Sequence, residues 1–178
     1  MKRLLSSAVA AGALLSLTAA PVFAEEASAE MYSVSKDGIG ESLGTVQLSD
    51  GADGLTLAVD VQGLTPGEHG FHLHQNGSCE PVANAEGQMT AALGAGGHYD
   101  PEGTAEHAGP EGEGHKGDLP AFKVGSDGMA MAELTAPRLT VVEARGKALM
   151  IHAGGDNYSD EPQPLGGGGG RVACGVVQ

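Results

Sequence analysis

The segment GLTLAVDVQG (residues 54–63) decides the fold class. From Leu55 to Val61 every second residue is a leucine or valine, and the others are threonine, alanine or aspartate. This period-two pattern is typical of a strand that buries one face, and Gly63 ends it. Seven other segments have the composition of strands: residues 31–35, 43–49, 68–74, 120–124, 129–136, 147–152 and 171–177. About eight short strands, with no sustained helical period, predict an all-β antiparallel sandwich or barrel.

Two long segments do not fit a plain sandwich. Residues 75–118 show little strand or helix pattern over a length far beyond that of ordinary connections. This segment is therefore either disordered or held in place by something other than its own apolar residues. Residues 153–170 end in five glycines, which is a pattern of flexible linkers. Because a single strand pattern follows, we interpret this segment as a second long loop that folds back on the domain.

The first 24 residues have the pattern of an export signal. Lys2 and Arg3 precede an apolar run, and Val22-Phe23-Ala24 offers small residues at positions −3 and −1 of a cleavage site after Ala24. A membrane anchor or buried helix is the alternative, but the apolar run is short for a bilayer span. We therefore expect a cleaved signal peptide at 1–24 and one exported domain at 25–178, with no membrane association after cleavage.

The mature chain is strongly acidic. Without the leader it holds 7 basic and 23 acidic residues, a formal charge of −16. Such a charge argues against nucleic acid or anionic lipid as a partner. An anionic substrate would need a local positive feature to attract it.

Two cysteines, Cys79 and Cys174, lie in the mature part. In an exported protein a disulfide is the default expectation, with two free thiols as the alternative. The bridge would close a loop of nearly a hundred residues, which chain-entropy estimates value at roughly 4–5 kcal/mol.

Histidines form two patterns. In GEHGFHLH (residues 67–74), His72 and His74 are two positions apart, so in a strand both imidazoles face one side and can reach one metal. The long loop adds three histidines and an aspartate at intervals of nine, eight and three, which make a complete tetrahedral set for structural zinc: His98, His107, His115 and Asp118. A bound metal would also order this loop, although solvated loop histidines remain an alternative.

Five strings in order resemble one family. They are GFHLH (70–74), GGHYDP (96–101), GHKGDLP (114–120), MIHAGGDNYSD (150–160) and PLGGGGGRVACGV (164–176). Together they resemble copper/zinc superoxide dismutase, specifically its bacterial periplasmic branch, over residues 30–178. The resemblance implies an eight-stranded antiparallel Greek-key barrel or flattened sandwich, immunoglobulin-like in architecture, with two long functional loops.

The resemblance also implies the site. The copper ligands would be His72, His74, His98 and His152. The zinc ligands would be His98, as a bridging imidazolate, with His107, His115 and Asp118. Asp156 matches the carboxylate that hydrogen-bonds one histidine of each metal, Arg171 matches the arginine beside copper, and Cys79–Cys174 matches the family disulfide. His69 has no ligand role and is expected to be a structural, hydrogen-bonded histidine.

The implied reaction is the dismutation of superoxide to dioxygen and hydrogen peroxide, for antioxidant defence in the periplasm. One copper would cycle between two oxidation states, and His98 would exchange a proton during turnover. Superoxide, as the substrate, is the one expected partner. The protein itself is expected to be a monomer or a homodimer. This chain departs from other branches of the family in one respect: residues 153–170 contain no lysine or arginine that could steer superoxide. Steering of superoxide would then depend on Arg171 and on Lys116 or Lys123.

Two other function classes fit less well. A zinc hydrolase would need an open coordination position and a nearby general base, and the sequence has no HExxH pattern. A copper or zinc carrier on the same fold would be expected to lose ligands or the arginine, and this chain keeps all of them.

Overall fold

The computed structural model describes residues 25–178, so the predicted signal peptide and its cleavage site lie outside the described residues. The strands in this part of the chain are β1 (Glu26–Ser35), β2 (Gly38–Gly51), β3 (Gly54–Val61), β4 (Gly67–His69), β5 (Phe71–His74), β6 (Val82–Ala83), β7 (Met89–Thr90), β8 (Phe122–Val124), β9 (Ala130–Ala136), β10 (Ala148–His152) and β11 (Arg171–Val176). One α-helix, α1 (Val141–Ala144), and two 3-10 turns, Leu93–Ala95 and Leu165–Gly167, complete the elements. Within residues 25–178 no helix has the length and apolar character needed to cross a membrane.

Seven strands form one antiparallel sheet in the order β5-β10-β11-β1-β2-β3-β9. β4 and β5 are one chain segment, interrupted only at Gly70, that pairs with β8 through β4 and with β10 through β5. β8 is joined to β9 by a tight turn, in which Gly125 N–H donates to Met129 O. The sheet therefore curls on itself, and if β4 and β5 count as one strand it has eight principal strands. The predicted all-β Greek-key class is confirmed.

The core lies inside the curled sheet. Leucines and valines of β3 at alternate positions are buried, as the period-two pattern predicts. They pack against other large buried side chains: Met31, Leu48, Phe71, Leu73, Leu119, Leu139, Leu149 and Ile151. Each fully buried side chain of this size contributes about 1.5–3 kcal/mol to folding.

Strand β10 is buried on both faces. Leu149 and Ile151 point into the main core, while Ala148 and Met150 pack with Cys174 and the loop residue Ala92 in a second cluster. This explains why β10 is apolar at four consecutive positions instead of alternating. The outer face of β5 and β10 is therefore covered, and the first long loop provides part of that cover.

Several boundaries differ from the prediction. β1 begins at Glu26 instead of residue 31, and β2 spans Gly38–Gly51 instead of 43–49. The loop at 75–118 contains the two-residue strands β6 and β7 and a 3-10 turn. Helix α1 was not predicted, although Thr140 and Glu143 form the capping box that marks its start.

Candidate metal centre

The centre lies on the outer face of β5 and β10. In β5, Phe71 and Leu73 point into the core, so His72 and His74 point to the opposite face, where both are fully buried. His152 ends β10, and its side chain lies beside theirs, with its ring centroid 4.8 Å from that of His72. Three histidines are thus positioned by two hydrogen-bonded strands.

The first long loop brings the other histidines to β5 through backbone hydrogen bonds. Tyr99 N–H donates to Leu73 O at 2.7 Å, and Leu73 N–H donates to Gly117 O at 2.8 Å. The loop therefore adds two short stretches of backbone to the free edge of β5. As a result His98 lies opposite His74 and Asp118 lies opposite His72.

Four imidazoles form the first ligand set: His72, His74, His98 and His152. One nitrogen of each lies within 4.8 Å of the others, and all four residues are buried. Within the described residues, His72 Nδ1 and Nε2 of the other three have no hydrogen-bond partner. For three of the rings the opposite nitrogen is oriented by an acceptor: His72 Nε2 by Asp156 Oδ2 at 2.7 Å, His74 Nδ1 by Gly96 O at 2.9 Å, and His152 Nδ1 by Gly169 O at 3.3 Å.

A second set gathers around one oxygen of Asp118. Asp118 Oδ1 lies 2.9 Å from His98 Nδ1, 3.0 Å from His107 Nδ1 and 3.4 Å from His115 Nδ1. If the set is chosen only by the distances between ligand atoms, its members are His72, His98, His107 and Asp118, with His72 in place of His115. We favour His115, because the partnerless nitrogen of His72 belongs to the first set and its other nitrogen is bonded to Asp156. His98 is common to both sets.

Asp156 connects the two sets. Its buried carboxylate accepts from His72 Nε2 and from His107 Nε2, both at 2.7 Å, and from Tyr158 N–H at 2.8 Å. Because the carboxylate holds Nε2 of both rings, Nδ1 of each is the nitrogen that faces its own set.

The glycine run at 166–170 packs against this centre. A Cβ on Gly166 would lie 1.9 Å from Asp156 Oδ1 and 2.7 Å from His107 Nε2, and Gly166 has a φ of 72°. A side chain there would displace the carboxylate that joins the two sets. The run is therefore part of a loop folded onto the domain and not a free linker.

Burial and charge set the protonation of these groups. Burial lowers the pKa of His98 to about 4 and that of His152 to about 3, and it also lowers the pKa of His72 and His74. Burial acts in the same direction on His107, but its carboxylate partners outweigh burial and raise the pKa of His107 to about 9. The first set is therefore neutral and able to donate electron pairs at physiological pH.

The two carboxylates stay ionised. Burial alone would raise the pKa values of Asp118 and Asp156, but their histidine partners outweigh it and hold both pKa values well below the usual range of aspartate. The centre thus combines the four neutral imidazoles of the first set with two fixed negative charges. That is a donor set suited to divalent metal ions.

Arg171 lies beside the first set. Its guanidinium donates to Ala92 O and Gly96 O, both at 2.6 Å, and Gly96 O also accepts from His74 Nδ1. Lys116, one of the two steering candidates, is instead paired with Glu143. Lys123, the other, lies opposite Glu68 in the β4–β8 pair.

Two cavities bear on access to the centre. One of about 260 Å³ reaches His152 and is lined by backbone and side chains of the second long loop, including Gln163 and Leu165. A larger cavity of about 580 Å³ lies beside Cys79 on the outside of the barrel and contains none of the clustered histidines. Of these two cavities, the smaller one is therefore the one that touches the centre.

Two predictions outside the ligand sets can be compared with the structure. Cys79 and Cys174 form the predicted disulfide, with Cα atoms 5.7 Å apart, which ties the start of the first long loop to β11. His69 belongs to neither set, and its ring nitrogens lie 2.6 Å from His152 O and 2.8 Å from Thr65 O. It is therefore a hydrogen-bonded structural histidine, as expected.

One supporting residue was missed from the sequence. Asp160 accepts from His107 N–H at 2.8 Å through Oδ2 and from Leu165 N–H at 3.0 Å through Oδ1, so it joins the two long loops. Both of its partners are backbone N–H groups, so no pattern of side chains in the sequence indicates these two hydrogen bonds. Its position inside MIHAGGDNYSD is the available signal.

Comparison with known proteins decides the family. The family model for copper/zinc superoxide dismutase matches residues 42–177. The chain belongs to the copper/zinc superoxide dismutase family. A curated superoxide dismutase [Cu-Zn] of Escherichia coli (strain K12) is 53% identical over 150 residues, which cover 84% of this chain and 86% of that protein.

Solved structures agree with this assignment to the superoxide dismutase family. The Cu/Zn superoxide dismutase from Brucella abortus superposes with a TM-score of 0.84 at 48% identity, covering 86% of this chain and 100% of the other. The monomeric copper, zinc superoxide dismutase from Salmonella enterica gives a TM-score of 0.77 at 52% identity, with the same coverage. The predicted family and enzyme class, an oxidoreductase, are confirmed.

Proposed function

We propose that the mature domain, residues 25–178, dismutes superoxide at a histidine-bound copper that is bridged to a structural zinc. Copper would be held by His72, His74, His98 and His152. Zinc would be held by His98, His107, His115 and Asp118. The observation that carries this proposal is the pair of buried ligand sets that share His98, because one imidazole can serve two metals only through its two nitrogens.

The chemistry of the donor atoms fits two different metals. Six buried imidazole nitrogens of the described residues lack a hydrogen-bond partner: His72 Nδ1, His74 Nε2, His98 Nε2, His107 Nδ1, His115 Nδ1 and His152 Nε2. Each unpaired buried nitrogen costs about 1–3 kcal/mol, so a group of this size in one place supports the binding of a ligand here. Four imidazoles tolerate both oxidation states of copper, and three imidazoles with a carboxylate suit tetrahedral zinc.

Copper, when bound, supplies the one-electron redox chemistry that zinc cannot supply. The overall reaction converts two superoxide ions and two protons into dioxygen and hydrogen peroxide. The chain must therefore attract an anion, deliver protons and keep its ligands in place. His98 is the residue suited to hold a proton, at Nε2, because it belongs to both sets: its Nδ1 lies 2.9 Å from Asp118 Oδ1 in the zinc set, which would keep the ring in place. The other three imidazoles of the copper set belong to that set alone under this division of the ligands.

Arg171 would guide superoxide to the copper set. It is a permanent cation whose guanidinium is fixed next to His74, in a domain with a formal charge of −16. A local positive charge beside a site raises the association rate of an anion. With Lys116 and Lys123 each beside a glutamate, we assign this role to Arg171.

The signal-like residues 1–24 and the bacterial relatives support export to the periplasm, where the disulfide is stable. The solved relative from Salmonella enterica is monomeric, which supports a monomer here over a homodimer. Sedimentation of the purified mature protein distinguishes the two states.

Metal content tests the proposal. The purified mature protein, measured by elemental analysis together with the rate of superoxide consumption, should contain one copper and one zinc per chain and be active. A metal-replete protein that consumes no superoxide would contradict it.

A further inference from the structure

A short segment outside both ligand sets contacts the zinc side of the first long loop. This segment, residues 138–143, contains Arg138, Thr140 and Glu143. Arg138 Nη2 donates to Gly114 O at 2.8 Å, and Arg138 Nη1 donates to Gly112 O and lies 3.4 Å from His115 O. One guanidinium thus contacts three carbonyls in the four residues that end at His115.

Glu143 makes a second contact from the same segment. Its Oε1 accepts from Lys116, the residue after His115, while Oε2 accepts from Thr140 Oγ1 at 3.0 Å in the capping box of α1. The side chain that caps the helix therefore also holds the loop. His115 is therefore held from both sides. Arg138 contacts the carbonyl groups of Gly114 and His115, and Glu143 binds the side chain of Lys116.

The segment is fixed to the barrel. Leu139 and Val141 are buried in the main core, and Val141 N–H donates to Asp50 Oδ1 at 2.8 Å. Leu139 points inward, which leaves Arg138 on the opposite side of the chain, and the buried positions of α1 are Val141 and Ala144, which leave Glu143 outside the core. A residue whose own backbone is anchored can position a loop that lacks apolar residues.

The loop around His115 needs such support. A Cβ on Gly114 would lie 2.3 Å from Glu106 O, so the backbone turns very close to the 106–108 stretch. His115 N–H donates to Glu106 O at 2.8 Å on that side, and Arg138 holds the carbonyl groups on the other. Neither contact involves a copper ligand.

We infer that Arg138 and Glu143 are positioning residues for the zinc subsite, which hold His115 in place before the metal binds and so set zinc affinity independently of copper affinity. This inference rests on the proposed function, since it takes His115 as a zinc ligand. A ligand that is ordered in advance costs less conformational entropy on binding. Residues that orient metal ligands in this way typically change metal affinity 10- to 100-fold when they are replaced.

The test compares Arg138→Ala and Arg138→Lys with Arg145→Ala. Arg145 is a matched control, because it also donates to a backbone carbonyl, that of Glu26, and its replacement removes the same charge from a side chain that contacts the start of β1 and not the loop. Zinc and copper dissociation constants are measured on the metal-free proteins by competition with chelators. Hydrogen exchange of the amides at 106–118 is measured on the same samples.

We expect Arg138→Ala to raise the zinc dissociation constant about 10- to 100-fold, with copper binding within twofold of wild type and faster exchange at 112–116. Arg138→Lys should lie between wild type and alanine, because a single ammonium cannot span three carbonyls. Arg145→Ala should change neither metal affinity nor loop exchange.

Unchanged zinc affinity in Arg138→Ala would overturn the inference, and so would an equal loss of both metals in the Arg138 variants. If Arg138→Ala fails to fold, Arg138→Lys decides, since wild-type zinc affinity and exchange in that variant would also overturn it. Failure of the proposed ligand set has a different signature, because wild-type protein would then bind no zinc. The exchange rates of the metal-free proteins would still report the contacts of Arg138.

Discussion

Replacing Arg171 by alanine should slow superoxide consumption while both metals stay bound. The size of the effect follows from the position of the charge. Arg171 Nη2 and His74 Nδ1 lie 2.6 and 2.9 Å from the same oxygen, Gly96 O, so these two nitrogens are at most 5.5 Å apart. An anion beyond the imidazole ring would be about 8 Å from the guanidinium, where Coulomb's law at effective dielectric constants of 20–80 gives about 0.5–2 kcal/mol. That energy corresponds to a roughly 2- to 30-fold lower association rate.

The assay is the second-order rate of superoxide consumption at several salt concentrations, with copper content measured on every sample. Arg171→Lys should recover part of the loss, because a point charge restores attraction but not the planar set of donors. Arg171→Glu should be the slowest of the three. The wild-type rate should fall as salt screens the charge, while Arg171→Ala should show a flatter or reversed dependence.

Arg145→Ala is the control for net charge, since it takes the same charge from a position near the start of β1. It should leave the wild-type rate nearly unchanged. Equal rates for wild type and Arg171→Ala at low salt and full copper would refute the role of Arg171.

Three further predictions concern metal binding and stability. His107→Ala should lose zinc and the order of residues 75–118 before it loses copper, as judged by elemental analysis; retained zinc with lost copper would reverse our division of the ligands. Acid should release zinc before copper. Below about pH 9 a proton competes with zinc for His107, so the apparent zinc affinity falls about tenfold per pH unit. His98 and His152, in contrast, stay neutral until about pH 4 and 3. Simultaneous release during a pH titration would count against this order. Cys79→Ser should lower the free energy of unfolding by about 2–5 kcal/mol in denaturant titrations. An unchanged free energy of unfolding would show that the disulfide does not stabilise the fold.

The strands that could be predicted are those with large apolar residues at alternate positions, of which β3 is the clearest. The start of β1 was missed because Ala27 and Ala29 fill its buried positions, and small side chains give no strong period. Residues 68–74 were predicted as one strand, but the break at Gly70 lets this segment pair with β8 on one side and β10 on the other.

Which residues bind each metal stays a prediction. The residues of the two sets could be singled out from the sequence, because His72 and His74, and the loop residues from His98 to Asp118, lie at intervals typical of metal ligands, and His152 stands in a string that resembles the family. The contacts that hold them could not. Arg138 and Asp160 bind backbone groups of distant loops, and a backbone carbonyl has the same chemistry whatever residue carries it. The role of Gly166 likewise depends on how close a Cβ at that position would come to Asp156, a distance of 1.9 Å that only the folded chain reveals.

Selective reloading of the metal-free mature protein tests the central claim most directly. The protein is prepared with zinc alone, with copper and zinc, and with neither, and the rate of superoxide consumption is measured for each at verified metal content. We predict activity with copper and zinc, and only background with zinc alone or without metal, because the reaction requires a metal that changes oxidation state. Full activity with zinc alone would contradict the account, as would background activity with both metals bound.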